Sequence, residues 1–183
     1  MTAATNPEEM LAFWREAGAT KWFAKDDAFD ASCVQRFRDL WEQGAAGRLV
    51  RWEVAPETAL ALVLLLDQMP RNMFRSTPKV YASDPQARGV AARMVAKGFD
   101  RAVETALRPF LYLPFSHSEA IADQERALQL YAGLEDAEQM KWARHHHGIV
   151  ARFGRFPHRN AILGRVSTPE EAEWLAQEGS FKG

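Results

Sequence analysis

The strongest constraint in this sequence is a recurring helix-start signature: a capping side chain, then proline, then a carboxylate. Asn6-Pro7-Glu8-Glu9 carries it near one end and Thr168-Pro169-Glu170-Glu171 repeats it near the other. The cap oxygen takes a backbone N–H of the first turn, proline sits where an N–H has no intrahelical acceptor, and the acid meets the positive end of the helix dipole. Asp26 or Asp27 caps a long helix in which Phe29, Cys33, Phe37, Leu40 and Trp41 recur at spacings of three and four, ending near Gly44 to Gly47. Pro56 opens a helix through "ETALALVLLLDQM", apolar nearly all round and hence central, which Pro70 is expected to break. Thr77-Pro78 begins a short turn, Asp84-Pro85 a helix running to Gly98, and Asp100 is placed to cap the next. Ser116 and Glu119 have the spacing of a capping box for a helix reaching Leu134, and a further helix covers about Ala137 to Phe153, stopped by Gly154.

No stretch alternates apolar and polar residues over a useful length, so the chain is expected to be all-α: antiparallel helical hairpins packed as a bundle or a short curved helical array. No proline-rich or glycine-serine linker divides it, and 183 residues with 47% hydrophobic content suit one domain over 1–183. The apolar run at 59–66 is too short to span a bilayer, which needs about 20 residues. "MTAATNPEEM" lacks a cationic segment followed by an apolar one, and Cys33 is alone, so a reducing cytoplasmic location is expected with no disulfide. A net charge of −1 gives no broad basic face, and nucleic acid is not an expected partner. The cations are mostly arginine, 17 against 6 lysines, and guanidinium suits planar two-pronged bonds to carboxylate or phosphate.

Polar side chains stand against the helical period in three segments. Asp67 and Gln68 end the most hydrophobic helix and precede Arg71, Asn72 and Arg75. His117 and Gln124 share a stripe with Ile121, Leu128 and Tyr131, while His146 shares one with Trp142, Ile149 and Phe153, so both histidines point inward; His145 and His147 are expected to face solvent. In "ARFGRFPHRN" (151–160), three arginines and a histidine stand among phenylalanines: Gly154 stops the helix, Pro157 starts a turn, and Arg155 is carried on a stiff corner. Three consecutive helical histidines cannot converge on one ion, and the arginines disfavour a cation, so no metal and no cofactor is expected.

The strings "KWFAKDDAFD" (21–30), "LDQMPRNMFRSTP" (66–78), "PFSHSE" (114–119), "RFGRFPHRN" (152–160) and "LGR" (163–165) resemble those of a bacterial family known as domain of unknown function 924. The resemblance runs nearly end to end and implies an all-helical fold similar to tetratricopeptide-repeat proteins, with no established activity. It implies as signature positions Asp67, Gln68, Arg71, Asn72, Arg75, His117, Ser118, Glu119, His146, Arg152, Arg155, His158, Arg159 and Asn160. The chain departs from the family pattern at Met69, where Phe is usual, and at His147-Gly148, where Arg-Asp is common.

Two functions follow as expectations. One is a pocket for a small anionic molecule, compatible with hydrolase or transferase chemistry, in which His117, His146 and Asp67 are candidate catalytic groups. Arg71, Asn72, Arg75, Gln124, Arg152, Arg155, His158, Arg159 and Asn160 are then candidate ligand-binding groups. The other is a helical scaffold that binds a peptide or protein, its polar motifs serving only internal packing. Homo-oligomerisation is left open.

Overall fold

The computed structural model describes residues 6–177, and these fall into two compact units, one up to Pro114 and one from Phe115 onward. Among the described residues every regular element is helical.

The first unit begins with α1 (Pro7–Ala17), a short turn α2 (Ala19–Trp22) and α3 (Asp27–Ala45). Asn6 caps α1 by accepting from Glu9 N, and Asp26 caps α3 by accepting from Ala28 N and Phe29 N. The expected stripe Phe29, Cys33, Phe37, Leu40 and Trp41 is buried. Next come α4 (Pro56–Val63), a π-helical turn (Leu64–Gln68) and α5 (Met69–Met73). As its composition requires, α4 is central: Ala59 to Val63 are all buried, and it packs against α1 and α6 (Asp84–Ala96). Helix α6 ends before Gly98, whose φ of 71° is the left-handed conformation that stops a helix. Asp100 does not cap the next helix; its carboxylate instead accepts the buried Tyr112 hydroxyl at 2.8 Å. The unit boundary falls within α7 (Pro109–Ser116).

Pro70 does not break the central helix as expected. The chain widens for one turn, with Met69 N bonding to Leu64 O five residues back, and continues to Met73. Pro70 has no N–H to offer the carbonyl four residues before it, which is that of Leu66. Ser83 supplies the missing donor: its hydroxyl donates to Leu66 O at 2.6 Å and accepts from Trp41 Nε1 at 2.9 Å, all three residues buried. A neighbouring helix start thus supplies a side-chain donor to a buried carbonyl at the wide turn.

The second unit consists of α8 (Ile121–Ala132), α9 (Ala137–Phe153) and α10 (Pro169–Ala176). Helices α8 and α9 pack on each other, and the core gathers Ile149, Val150 and Phe156, with Phe153 and Trp174 beside it. The Thr168–Glu171 capping box forms as expected. The Ser116–Glu119 box does not: Ser116 closes α7, and Ser118 Oγ accepts Ala120 N ahead of α8. His117 therefore precedes α8 rather than lying on it, and Ile121, expected inside, is exposed. Trp142 is 46% exposed; the buried face of α9 runs through Ala143, Ile149 and Val150. His145 and His147, expected in solvent, are half-buried.

Ser83→Ala leaves the Leu66 carbonyl and the Trp41 indole N–H without their partner. It is expected to cost about 2–3 kcal/mol of unfolding free energy in urea titrations. Pro70→Ala, which restores an N–H four residues after Leu66, is expected to recover part of that loss when combined with it.

Candidate functional site

In the first unit the off-pattern polar residues form two ion-pair networks. Asp67 is fully buried on the π-helical turn, with Gln68 Nε2 donating to its Oδ2 and Arg71 Nη1 3.5 Å from its Oδ1. Arg71 also donates to the Asp67 carbonyl and, through Nη1 and Nη2, to both carboxylate oxygens of Asp84 at 3.0 Å. Burial works against the Arg71 charge, but Asp67 and Asp84 outweigh it and hold the guanidinium more firmly protonated than usual. One turn further on, Asn72 Nδ2 donates to Asp30 Oδ1 at 2.8 Å, and Arg75 forms a two-pronged pair with the same carboxylate. Asp30 and Asp84 escaped the sequence reading as functional partners, although Asp30 closes the "KWFAKDDAFD" string and Asp84 stood out as a helix start.

In the second unit the 154–160 turn is held between two carboxylates. Gly154 takes φ 70°, reversing the chain after α9, and a 3-10 turn over Pro157–Arg159 follows. Arg155 donates to Glu171 through Nε at 2.6 Å and Nη2 at 2.7 Å, and to the Val166 carbonyl at 3.0 Å. Asn160 Nδ2 donates to the same carboxylate at 3.2 Å and to Ser167 Oγ at 3.0 Å. On the other side Glu119 accepts from Phe156 N at 2.8 Å and from both terminal nitrogens of Arg165, which also reaches the Phe156 carbonyl and Asn160 Oδ1. Arg152 pairs with Glu170 at 2.9 Å, with its guanidinium over the Phe153 ring. Arg165 was not singled out except within "LGR", and Glu171 only as a cap; the structure makes both central to this turn.

What the clamps enclose is an aromatic centre. Phe156 is fully buried; the Arg159 guanidinium lies over its ring at 4.5 Å, and the His146 and His158 rings lie 5.7 Å and 5.5 Å from it. The His117 ring is 6.4 Å from that of His146. His146 Nδ1 lies 2.8 Å from the Trp142 carbonyl oxygen, which can only accept, so this nitrogen carries the proton. Gln124 is fully buried and donates to the Ser116 and Ser118 carbonyls.

Burial first, and the Arg159 charge after it, set the electrostatics of this cluster. Burial, with the charges of His117, His145 and Arg159 added, pulls the His146 pKa down to about 4, although its bond to Trp142 acts the other way. Burial, then Arg159 and His146, pull His158 down to about 3 against the opposing effect of Glu119. Both imidazoles are thus neutral near pH 7. Glu119 is pushed up by burial but held below the usual carboxylate range by Arg165, the Phe156 N–H and Arg159. Glu171 is held at about 2, first by its bond with Arg155, against burial, and then by the Thr168 N–H. Among the described residues no group of three histidine, cysteine or acidic side chains is placed to hold a metal ion.

The depressed Glu171 carboxyl stabilises the fold above its ordinary value of 4.5, and that contribution is lost as pH falls through about 2. Glu171→Gln is expected to lower the urea midpoint at neutral pH. The gap between variant and parent should close steadily as pH is lowered from 4.5 toward 2.

No described helix is long and apolar enough to cross a membrane. No curated protein matches this chain. A solved structure of a protein of unknown function, ATU0120 from Agrobacterium tumefaciens, is similar to it at 49% sequence identity and a TM-score of 0.90, covering 93% of this chain and 96% of that one. Residues 10–179 match the model of a bacterial protein family of unknown function, DUF924. The chain accordingly belongs to the DUF924 family.

Proposed function

We propose that this protein binds a small anionic molecule at the imidazole–guanidinium cluster around Phe156. The observation that carries the reading is the gathering of His146, His158 and Arg159 about one buried ring, with His117 against His146, where burial first and then the neighbouring charges keep the imidazoles neutral. An incoming phosphate or carboxylate offsets the Arg159 charge and favours the protonated imidazole beside it, so the imidazoles gain affinity for a proton when it binds. A histidine that takes up a proton beside a bound anion is the group a hydrolase or transferase uses as general acid, and His117 and His146 are the residues suited to it. Arg155, Arg152 and Asn160 serve this site by fixing the turn, since their donors are engaged by Glu171, Glu170 and Ser167. In the first unit, Asp67, Arg71, Asn72 and Arg75 act as internal clamps rather than as ligand contacts. A cytoplasmic setting suits the lone Cys33, buried in the core with its thiol pushed up to about 12 chiefly by that burial.

The scaffold reading draws support from a different place, a groove of about 340 Å³ in the first unit lined by Leu49, Leu62, Leu66, Pro85 and Val90, with the Glu53–Arg93 pair among its lining. It would take a short apolar peptide and would be indifferent to the histidine cluster.

Calorimetric titration with inorganic phosphate and with citrate separates the two. Affinity is expected to rise as pH is lowered from about 8 to about 5, because binding takes up a proton. Arg159→Gln is expected to weaken binding at least about tenfold. The absence of binding by either anion across that range, or equal affinity in Arg159→Gln, would sink the anion reading.

A further inference from the structure

The backbone on either side of His117 is held by one side chain, that of Gln124. His117 sits in the connection between α7 and α8, outside either helix. Gln124, in the first turn of α8, donates through Nε2 to the Ser116 carbonyl at 2.7 Å and to the Ser118 carbonyl at 2.6 Å, the two carbonyls on either side of His117. Asp123 adds a third tie by accepting the Ser118 hydroxyl at 2.6 Å. The carboxamide has two N–H donors, and these two carbonyls account for both.

The rest of the Gln124 side chain is bought at a loss. Its Oε1 is buried with no hydrogen-bond partner among the described residues, as is the Ser116 hydroxyl oxygen. An orphaned buried acceptor is a net cost to stability. Methionine at this position would fill a similar volume without that cost, so packing is not what the amide contributes. What the amide alone supplies is a double donor that fixes the turn on both sides of one residue, and that residue faces His146.

We infer that Gln124 is a positioning residue, holding His117 against His146 by clamping the two carbonyls that flank it. The consequence for ligand binding rests on the anion reading above; the positioning itself does not. The charged or titratable groups facing His146 are His117, His145, Arg159 and, across the Phe156 ring, His158. Release of His117 removes one of these and opens the His146 ring to water.

The test is a histidine NMR titration of the full chain without added anion, in the parent, Gln124→Met, Gln124→Asn and Ile149→Val. The last is a comparator that trims the same unit's core without touching the turn. Gln124→Met is expected to raise the His146 pKa by about half a pH unit or more toward its ordinary value, and to shift the His117 ring signals. Gln124→Asn, too short to reach both carbonyls, should move them the same way by less, and it decides the matter if the methionine variant does not fold. Ile149→Val should lower the melting temperature and leave both histidines where they were. If the Gln124 variants lose stability as Ile149→Val does while His117 and His146 keep their parental shifts and pKa values, the inference is overturned. Phosphate titration of the same samples is read separately: histidines that move in a protein that binds no anion leave the positioning intact and remove the anion reading.

Discussion

Glu171 meets several demands at once in the second unit. It closes the capping box of α10 through Thr168, receives two nitrogens of Arg155 and takes a third donor from Asn160. One buried carboxylate therefore ties the start of a helix to both ends of the 155–160 segment. Removing a partner from such a set leaves buried charge uncompensated, which is far more costly than the net worth of the intact pair. Glu119 repeats the device from the other side through Arg165 and the Phe156 backbone. Phe156 can be a buried ring with a guanidinium over it because the two carboxylates take the charges of Arg155 and Arg165 and fix the loop that carries it.

The first unit solves a related problem with backbone rather than charge. Proline inside its most apolar helix cannot donate to a carbonyl of the preceding turn, and the helix passes it with one wide turn rather than a break. The wide turn carries Asp67, and the carbonyl of that residue is in turn reached by Arg71 from one turn further along. Arg71 then spans to Asp84 beside Ser83, the residue that satisfies Leu66. Between Leu64 and Asp84, Arg71 and Ser83 thus supply side-chain donors to the Asp67 and Leu66 carbonyls, and Arg71 also pairs with Asp84.

The candidate site was legible in the sequence to the extent that single residues broke a period. His146 was placed on the core side of its helix because its neighbours at three and four positions are apolar, and it is close to the core ring of Phe156. His117 was given the same argument on a helix that begins four residues too late to include it, because the Ser116–Glu119 spacing imitates a capping box. Glu119 has the right spacing for that cap, yet its carboxylate goes to Phe156 N and Arg165 instead. The latter is 46 residues away, and no local pattern reports such a contact.

The sequence by itself determined the starts of α1, α3 and α10 and the stops of α6 and α9, since caps, prolines and left-handed glycines act through bonds to residues three to five positions away. It likewise determined that α4 is buried from Ala59 to Val63 and that every regular element among the described residues is helical. Tertiary structure decided which arginine meets which carboxylate. With 23 basic and 24 acidic side chains, composition is consistent with almost any pairing, and the pairs that matter join residues 13 to 46 positions apart. Coulomb attraction is indifferent to sequence distance, so only the packing that sets which charges are buried together could choose Glu171 for Arg155 and Asp84 for Arg71.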